Sequence, residues 1–304
     1  MNESIENLSL KKRAKTFYFA SLFFSKKIQD DIKILYFFCR LIDDIGDKDS
    51  KNSELALKKL KSIKKDISNY NSKNVMLSAF IELMIKYKID PSIPIDLING
   101  IMSDLQKVDM KSFSELIEYS YKVAGTVGIM MCKIMSVKKK ELRYYGIQLG
   151  VAMQLTNISR DVKEDLENHR IYIPRDFRLK TNKNFRTLIK NKSLQKEFSN
   201  KLEEFLSISD KIYNIAWTGI TKLPIKYRIP IAIASFLYQS IGTKIRKKNY
   251  NIWSERIYLT RTEKVIKTIQ IMKRLLLNRE IDKDIKMEKK VIKILNKFKS
   301  INYG

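Results

Sequence analysis

The sequence predicts an all-α protein, on three observations. In 304 residues there are only 9 Gly and 5 Pro, so few points interrupt regular structure. Leu, Ile, Lys and Glu fill long amphipathic stretches with a helical period. Hydrophobic residues make up 44% of the chain, enough for a sizeable core.

The pattern places helices near residues 26–46, 53–69, 73–87, 112–135, 138–168, 195–219, 224–248 and 257–279. A shorter one near 94–106 follows "DPSIP", whose prolines set a turn before helix entry. "RIYIPRDFRLKTNKNF" (170–185) is expected to be extended or loop-like, with Pro174 closing the long helix before it. The stretch from 281 to 304 is expected to be a basic amphipathic helix or tail. It packs through Ile285, Val291, Ile292 and Leu295, with contact to a membrane surface as the alternative. No repeat and no low-complexity linker divides the chain, so residues 1–304 are expected to form a single domain.

Composition excludes several classes of function. Cys39 and Cys132 lie in apolar surroundings without CxxC spacing, as core thiols of a reducing compartment do. One histidine, His169, leaves zinc sites and histidine-dependent nucleophiles without their ligands and bases. The N-terminus carries acids and no apolar h-region, and the most apolar run, "IPIAIASFLY" (229–238), is far short of the roughly 20 residues of a membrane span. A cytoplasmic protein, soluble or peripheral on the membrane, is expected. The formal charge of +27 suits nucleic acid, an anionic membrane or an anionic substrate, or it reflects a composition rich in Lys, Ile and Asn. No DNA or RNA recognition motif accompanies it, so no nucleic-acid partner is expected. Oligomeric state is not legible.

Two acidic constellations interrupt otherwise apolar helices. In "YFFCRLIDDIGD" (36–47), Asp43 and Asp47 share a face, and Arg40 and Tyr36 continue the stripe. A solvated helix end with Gly46 as stop signal is the plain alternative. A calcium loop from Asp47 fails, because Lys51 and Asn52 stand where an oxygen ligand and a glycine are needed. In "QLTNISRDVKEDLENHRIYIP" (154–174), Asn157, Asp161 and Asp165 fall at i, i+4 and i+8, beside Gln154 and Arg160. Two such stripes on otherwise buried helices suggest that they face each other. Clustered carboxylates repel unless a cation lies among them. Mg²⁺ fits, being bound by one or two carboxylates together with substrate phosphates. Arg40, Arg160 and Arg170 can take the remaining phosphate oxygens by charge-assisted pairs.

At this point the chain resembles the squalene and phytoene synthase family, the head-to-head prenyl-diphosphate coupling enzymes. "AKTFYFASLFF" (14–24) resembles that family's N-terminal substrate segment, and "YFFCRLIDDIGD" its first aspartate-rich motif. "YSYKVAGTVGIMM" (119–131) is similar to its glycine-containing helix, and the 154–174 stretch to its second aspartate-rich motif. "LYQSIGTKIRKKNYNIWSER" (237–256) resembles the C-terminal segment of bacterial phytoene synthases.

The resemblance implies an isoprenoid-synthase-type helical bundle around a central apolar cavity. It implies that Asp43, Asp47, Asn157, Asp161 and Asp165 hold Mg²⁺, with Mn²⁺ as an alternative. It implies that Arg40, Arg160 and Tyr36 contact diphosphate, joined by Thr16, Gln154, Arg170, Tyr238 and Arg256, and that Tyr119 lies near the reacting carbons, with Arg40 and Arg160 beside it in catalysis. Ala14, where relatives often have serine, and "ENHR" (167–170), where a glycine commonly precedes the arginine, depart from the pattern. The implied reaction joins two geranylgeranyl diphosphates to phytoene through a cyclopropyl diphosphate, as in carotenoid biosynthesis, with no NADPH. Squalene, dehydrosqualene or presqualene diphosphate synthesis from farnesyl diphosphate is the runner-up. A basic helical protein binding nucleic acid or anionic membrane is the rival from another class. Phe17, Phe37, Met130 and Met153 are candidates for the cavity wall or the core. Gly125 and Gly128 serve close helix packing or substrate passage, a choice the sequence leaves open.

Overall fold

A computed structural model describes residues 15–48, 53–179, 184–276 and 289–300. Twelve helices appear among the described residues: α1 (Lys15–Ser21), α2 (Lys26–Lys48), α3 (Ser53–Ser68), α4 (Val75–Tyr87), α5 (Ser92–Ser103), α6 (Phe113–Ser120), α7 (Thr126–Ile134), α8 (Lys140–Glu167), α9 (Lys192–Thr221), α10 (Ile225–Lys247), α11 (Arg261–Leu276) and α12 (Lys289–Asn296). No strand forms among these residues, only an isolated parallel bridge between Asp109 and Ile171. The fold is all-α, as the sequence predicts.

Local chemistry sets the helix ends. Asn74 caps α4 by accepting from the Met76 and Leu77 amides at 3.0 and 3.1 Å, and Lys88 closes it in the left-handed region. Ser112 accepts from the Glu115 amide at 3.2 Å while Glu115 takes the Lys111 amide at 2.7 Å, a reciprocal cap at the start of α6. The long α8 and α9 form the spine. Ala152, Leu155 and Ile158 of one helix and Phe205, Ile212 and Ala216 of the other are all buried. A polar seam locks their register: Ser209 donates to the Ala152 carbonyl at 3.1 Å, and Thr156 lies 3.1 Å from the Tyr213 hydroxyl. On the other side, Phe38 of α2 stacks on Phe80 of α4 with ring centroids 3.7 Å apart.

The stretch expected as one helix over 112–135 is divided. Between α6 and α7 runs a π-helical turn, Tyr121–Gly125, which inserts an extra residue and re-aims the side chains around it. Gly128 both packs closely against α8 and lines the apolar space between the helices. A Cβ there would stand 2.2 Å from the Gly146 carbonyl oxygen, and one at Gly150 would stand 2.3 Å from that of Ala124. The α7 and α8 backbones touch, and only glycine permits the approach.

At the C-terminus, α12 buries Val291, Ile294 and Leu295, and Phe298 beyond it stacks on Tyr121 at 4.7 Å. Ile292, expected to pack, is instead exposed, because the buried stripe runs i, i+3, i+4, i+7 from Val291. Ile285 lies outside the described residues. Where described, most of the apolar side chains of this region are taken up by packing, with Ile292 left exposed. No described helix is long and apolar enough to cross a membrane.

Replacing Gly150 by Ala is expected to cost about 1–3 kcal/mol by overpacking. Gly242→Ala, whose Cβ would meet only side-chain ends, Leu206 at 3.3 Å and Arg246 at 4.0 Å, is expected to be neutral or stabilising. Urea unfolding of the two variants checks the contrast.

Candidate active site

The two acidic stripes converge. Asp43 and Asp47, from the last turns of α2, line the same cleft as Gln154, Asn157, Asp161 and Asp165 of α8. The cleft has a volume of about 240 Å³, and its remaining polar wall is Asp104, Tyr119, Arg170 and Tyr172. The bridge at Asp109 and Ile171 places Arg170 here. The Ile171 amide donates to the Val108 carbonyl and the Met110 amide to the Ile171 carbonyl, both at 3.0 Å, which pins the chain after α8 beside the end of α5. Arg170 then reaches across to Asp47 at 3.1 Å, joining the two motifs directly.

Outward, the cleft widens into a polar mouth of about 680 Å³ that shares Asp47, Asp104, Asp161, Asp165 and Arg170 and adds Arg186 and Arg256. Inward, it meets an apolar cavity of about 260 Å³ that shares Val123, Gln154 and Asn157 with it. Phe17, Met131, Leu149, Met153, Ala234 and Tyr238 are among the walls of that cavity. Of the four side chains considered for the cavity, Phe17 and Met153 line it. Met130 is core at 0% exposure, and Phe37 is not among the lining side chains.

Charge is poorly balanced along the cleft. Burial, reinforced by Asp47, Asp104 and Asp44 against the opposing Arg40, pushes the Asp43 carboxyl up to about 7. Burial, with Asp161 and Glu164 adding repulsion, pushes Asp165 up to about 8. Asp161 is the reverse case. Burial works against its charge, but Arg160 at 2.8 Å and Arg256 at 3.0 Å grip the carboxylate from two sides and hold it below the usual range.

Other expected contacts are arranged differently. Arg40 ion-pairs with Asp44, one position along from the stripe. Tyr36 stacks at 6.5 Å on Phe17, which lines the apolar cavity, and meets Phe37 edge-on at 5.8 Å. Thr16 is half-buried on α1 and is not among the side chains lining these three cavities. His169 adopts a left-handed backbone, φ 61°, and lines the mouth.

Asp104 was not among the expected site residues. It follows the apolar α5 directly and accepts hydrogen bonds from Tyr119 and Tyr172, both at 2.8 Å. Burial outweighs those bonds and raises its carboxyl to about 6. An acid directly after "IDLINGIMS" was the available signal, but its partners lie 15 and 68 residues away.

Comparison with known proteins agrees with this geometry. The family model for squalene/phytoene synthase matches residues 10–263. The chain belongs to the squalene/phytoene synthase family. It is 28% identical over 260 residues to phytoene synthase 1 of Arabidopsis thaliana, covering 83% of this chain and 61% of that protein. It is 28% identical over 261 residues to the phytoene synthase of Cereibacter sphaeroides, covering 83% and 74%. The chain thus spans somewhat under two thirds of the length of the Arabidopsis relative. A crystal structure of a dehydrosqualene synthase superposes with a TM-score of 0.81 at 24% identity, covering 90% of this chain and 96% of that one. A squalene synthase from Alicyclobacillus acidocaldarius gives 0.70 at 17% identity, covering 82% and 94%.

The family is generally dependent on a divalent metal. The donor set here fits a hard cation: carboxylates and one carboxamide, with Asp43 and Asp165 destabilised by burial and by like charge. Among the described residues no three acidic, histidine or cysteine side chains form a preformed cage.

The raised carboxyls carry a pH signature. In the unfolded chain they titrate near about 3.9. Between there and about 8 the folded protein therefore holds more protons, and stability without metal falls as pH rises through that window. Urea unfolding without metal is expected to show this decline in the wild type, a shallower one in Asp165→Asn, and relief on adding Mg²⁺.

Proposed function

We propose that the protein catalyses Mg²⁺-dependent head-to-head condensation of two prenyl diphosphates, with geranylgeranyl diphosphate as substrate and phytoene as product. One observation carries the reading: a carboxylate- and arginine-lined cleft opens, through Gln154 and Asn157, straight into an apolar cavity. Diphosphate and hydrocarbon tail each find a matching environment on either side of that junction. The phytoene synthases among the relatives and the pattern of motifs over residues 14–256 support this substrate class.

Asp43, Asp47, Asn157, Asp161 and Asp165 would hold the metal. When bound, it supplies Lewis acidity to the diphosphate oxygens and neutralises the leaving group. Arg170 and Arg256 flank the mouth and bind the outer phosphate oxygens, and Arg160 stands behind Asp161 to take up charge as Asp161 engages. Departure of diphosphate breaks the C1–O bond of one molecule and leaves an allylic cation. The double bond of the second molecule attacks that carbon, and proton loss closes a cyclopropane. A second C–O cleavage, rearrangement and loss of a proton give the linear hydrocarbon with two diphosphates released. No reductant enters this balance.

Tyr119 is held at the cleft by Asp104, its hydroxyl donating, so its ring stays at the junction where cationic carbon forms. The apolar walls, Phe17, Met153 and Tyr238 among them, keep out water that would quench the cation. We further propose that one synthase domain carries all of this.

Incubation with Mg²⁺ and C15 or C20 diphosphates, with and without NADPH, followed by hydrocarbon analysis, tests the reading. Phytoene from the C20 substrate without NADPH is expected. Squalene or dehydrosqualene from the C15 substrate would move the assignment to the farnesyl branch. Asp43→Asn and Asp161→Asn are expected to lower turnover by roughly 10³-fold, the kinetic equivalent of several kcal/mol of charge stabilisation, with helical content unchanged by circular dichroism. Turnover near wild type in both would sink the assignment.

A further inference from the structure

The end of the bundle away from the acidic cleft has its own character. Printed contacts place four segments there. The first turn of α8 meets the α9–α10 loop through the Glu141–Lys222 ion pair. Phe24, in the α1–α2 turn, packs on Tyr227 in the first turn of α10 with rings 6.5 Å apart. The α11 helix runs antiparallel to α10: Glu263 pairs with Lys244 at 2.8 Å, and Lys267 lies 5.5 Å over the Phe236 ring, so its last turn approaches the start of α10.

These segments expose large apolar side chains: Leu22 at 49%, Phe23 at 42%, Ile225 at 61% and Leu276 at 80%. Around them stand exposed lysines: Lys26 and Lys27 from the start of α2, Lys138 and Lys139 from the α7–α8 loop, Lys226 and Lys273. Two carboxylates at this end, Asp30 and Glu141, are each already paired with lysine. Directly beneath, Met135, Leu142, Tyr145 and Leu223 close the deep end of the apolar cavity. From Asn157 to Leu142 the cavity follows α8 for about 22 Å at 1.5 Å per residue.

We infer that this pole docks on an anionic lipid bilayer, with Leu22, Phe23 and Ile225 entering the headgroup–acyl boundary and the lysines meeting lipid phosphates. Exposed aliphatic side chains inside a basic ring match an interfacial membrane surface, where apolar burial and attraction to anionic headgroups act together. A nucleic-acid surface would put polar groups and several aromatics at that centre, where here aliphatic Leu22, Ile225 and Leu276 outnumber the single ring of Phe23. The surface rests on exposure and charge alone. Its use as the exit for a water-insoluble product rests on the catalytic reading above, and vesicle binding tests the two separately.

The experiment is flotation of the full chain with vesicles of phosphatidylcholine, alone and mixed with phosphatidylglycerol. Binding to the mixed vesicles, weakened by salt, is expected. The triple variant Leu22→Ser/Phe23→Ser/Ile225→Ser is expected to bind at least about tenfold more weakly, with helical content and urea midpoint close to wild type. Lys138→Glu/Lys139→Glu/Lys226→Glu is expected to lose a similar factor. Val75→Ser, an exposed apolar residue at the far end of α4, should float as wild type does, and so should Asp43→Asn whether or not it turns over. Wild-type protein that does not float would overturn the inference. So would serine variants that float normally while the charge reversals do not, since that pattern marks a purely polyanion-binding surface.

Discussion

The structure turns on crowding carboxylates into a place where water cannot fully solvate them. Asp43, Asp104 and Asp165 are each buried enough that burial is the first cause of their raised carboxyls. Such an arrangement is unfavourable for the folded chain taken alone, and it persists because stronger packing holds the helices that carry it. The α8–α9 spine, the stacked Phe38–Phe80 pair and the glycine-mediated contact of α7 with α8 supply that packing. The fold therefore holds a cleft in which buried carboxylates outnumber the cations that pair with them, Arg170 on Asp47 and Arg160 and Arg256 on Asp161.

Much of this was legible in the sequence, because helical periodicity is a local property. Spacing alone put Asp43 with Asp47, and Asn157 with Asp161 and Asp165, on single faces, and the apolar residues around them indicated that both faces were buried. The segment after α8 is, where described, irregular apart from short 3-10 turns, as expected, although α8 ends at Glu167, ahead of Pro174. What escaped were features set by tertiary geometry. The π turn at Tyr121–Gly125 arises where the chain must fit against α5 and α8, and no residue type encodes it by itself. Arg40 lies on the expected stripe yet turns to Asp44, since a side chain that long selects its partner from what is within reach. Asp104 needed two tyrosines from distant segments to make it part of the site. The buried stripe of α12 differs from expectation at Ile292 for a simpler reason: that short basic helix offers more than one apolar face.

The large positive charge also takes on a pattern in three dimensions that composition could not give. Lysines gather around the α1–α2 turn, the α7–α8 loop and the start of α10, whereas acids gather at the other end of α8. A single helix thus links two poles of opposite sign, with the apolar cavity running between them.

The double guanidinium grip on Asp161 has a consequence for the order of events. Arg160 and Arg256 already satisfy that carboxylate on both oxygens. An anion arriving by itself would have to pull Arg256 from a partner of equal strength, and a cation arriving by itself would have to compete with two fixed positive groups. On the proposed reading, a cation and an anion arriving together would each free what the other needs, the oxygens of Asp161 and the guanidinium of Arg256. The latch would thus favour co-arrival, and in the structure it leaves Asp161 satisfied on both oxygens.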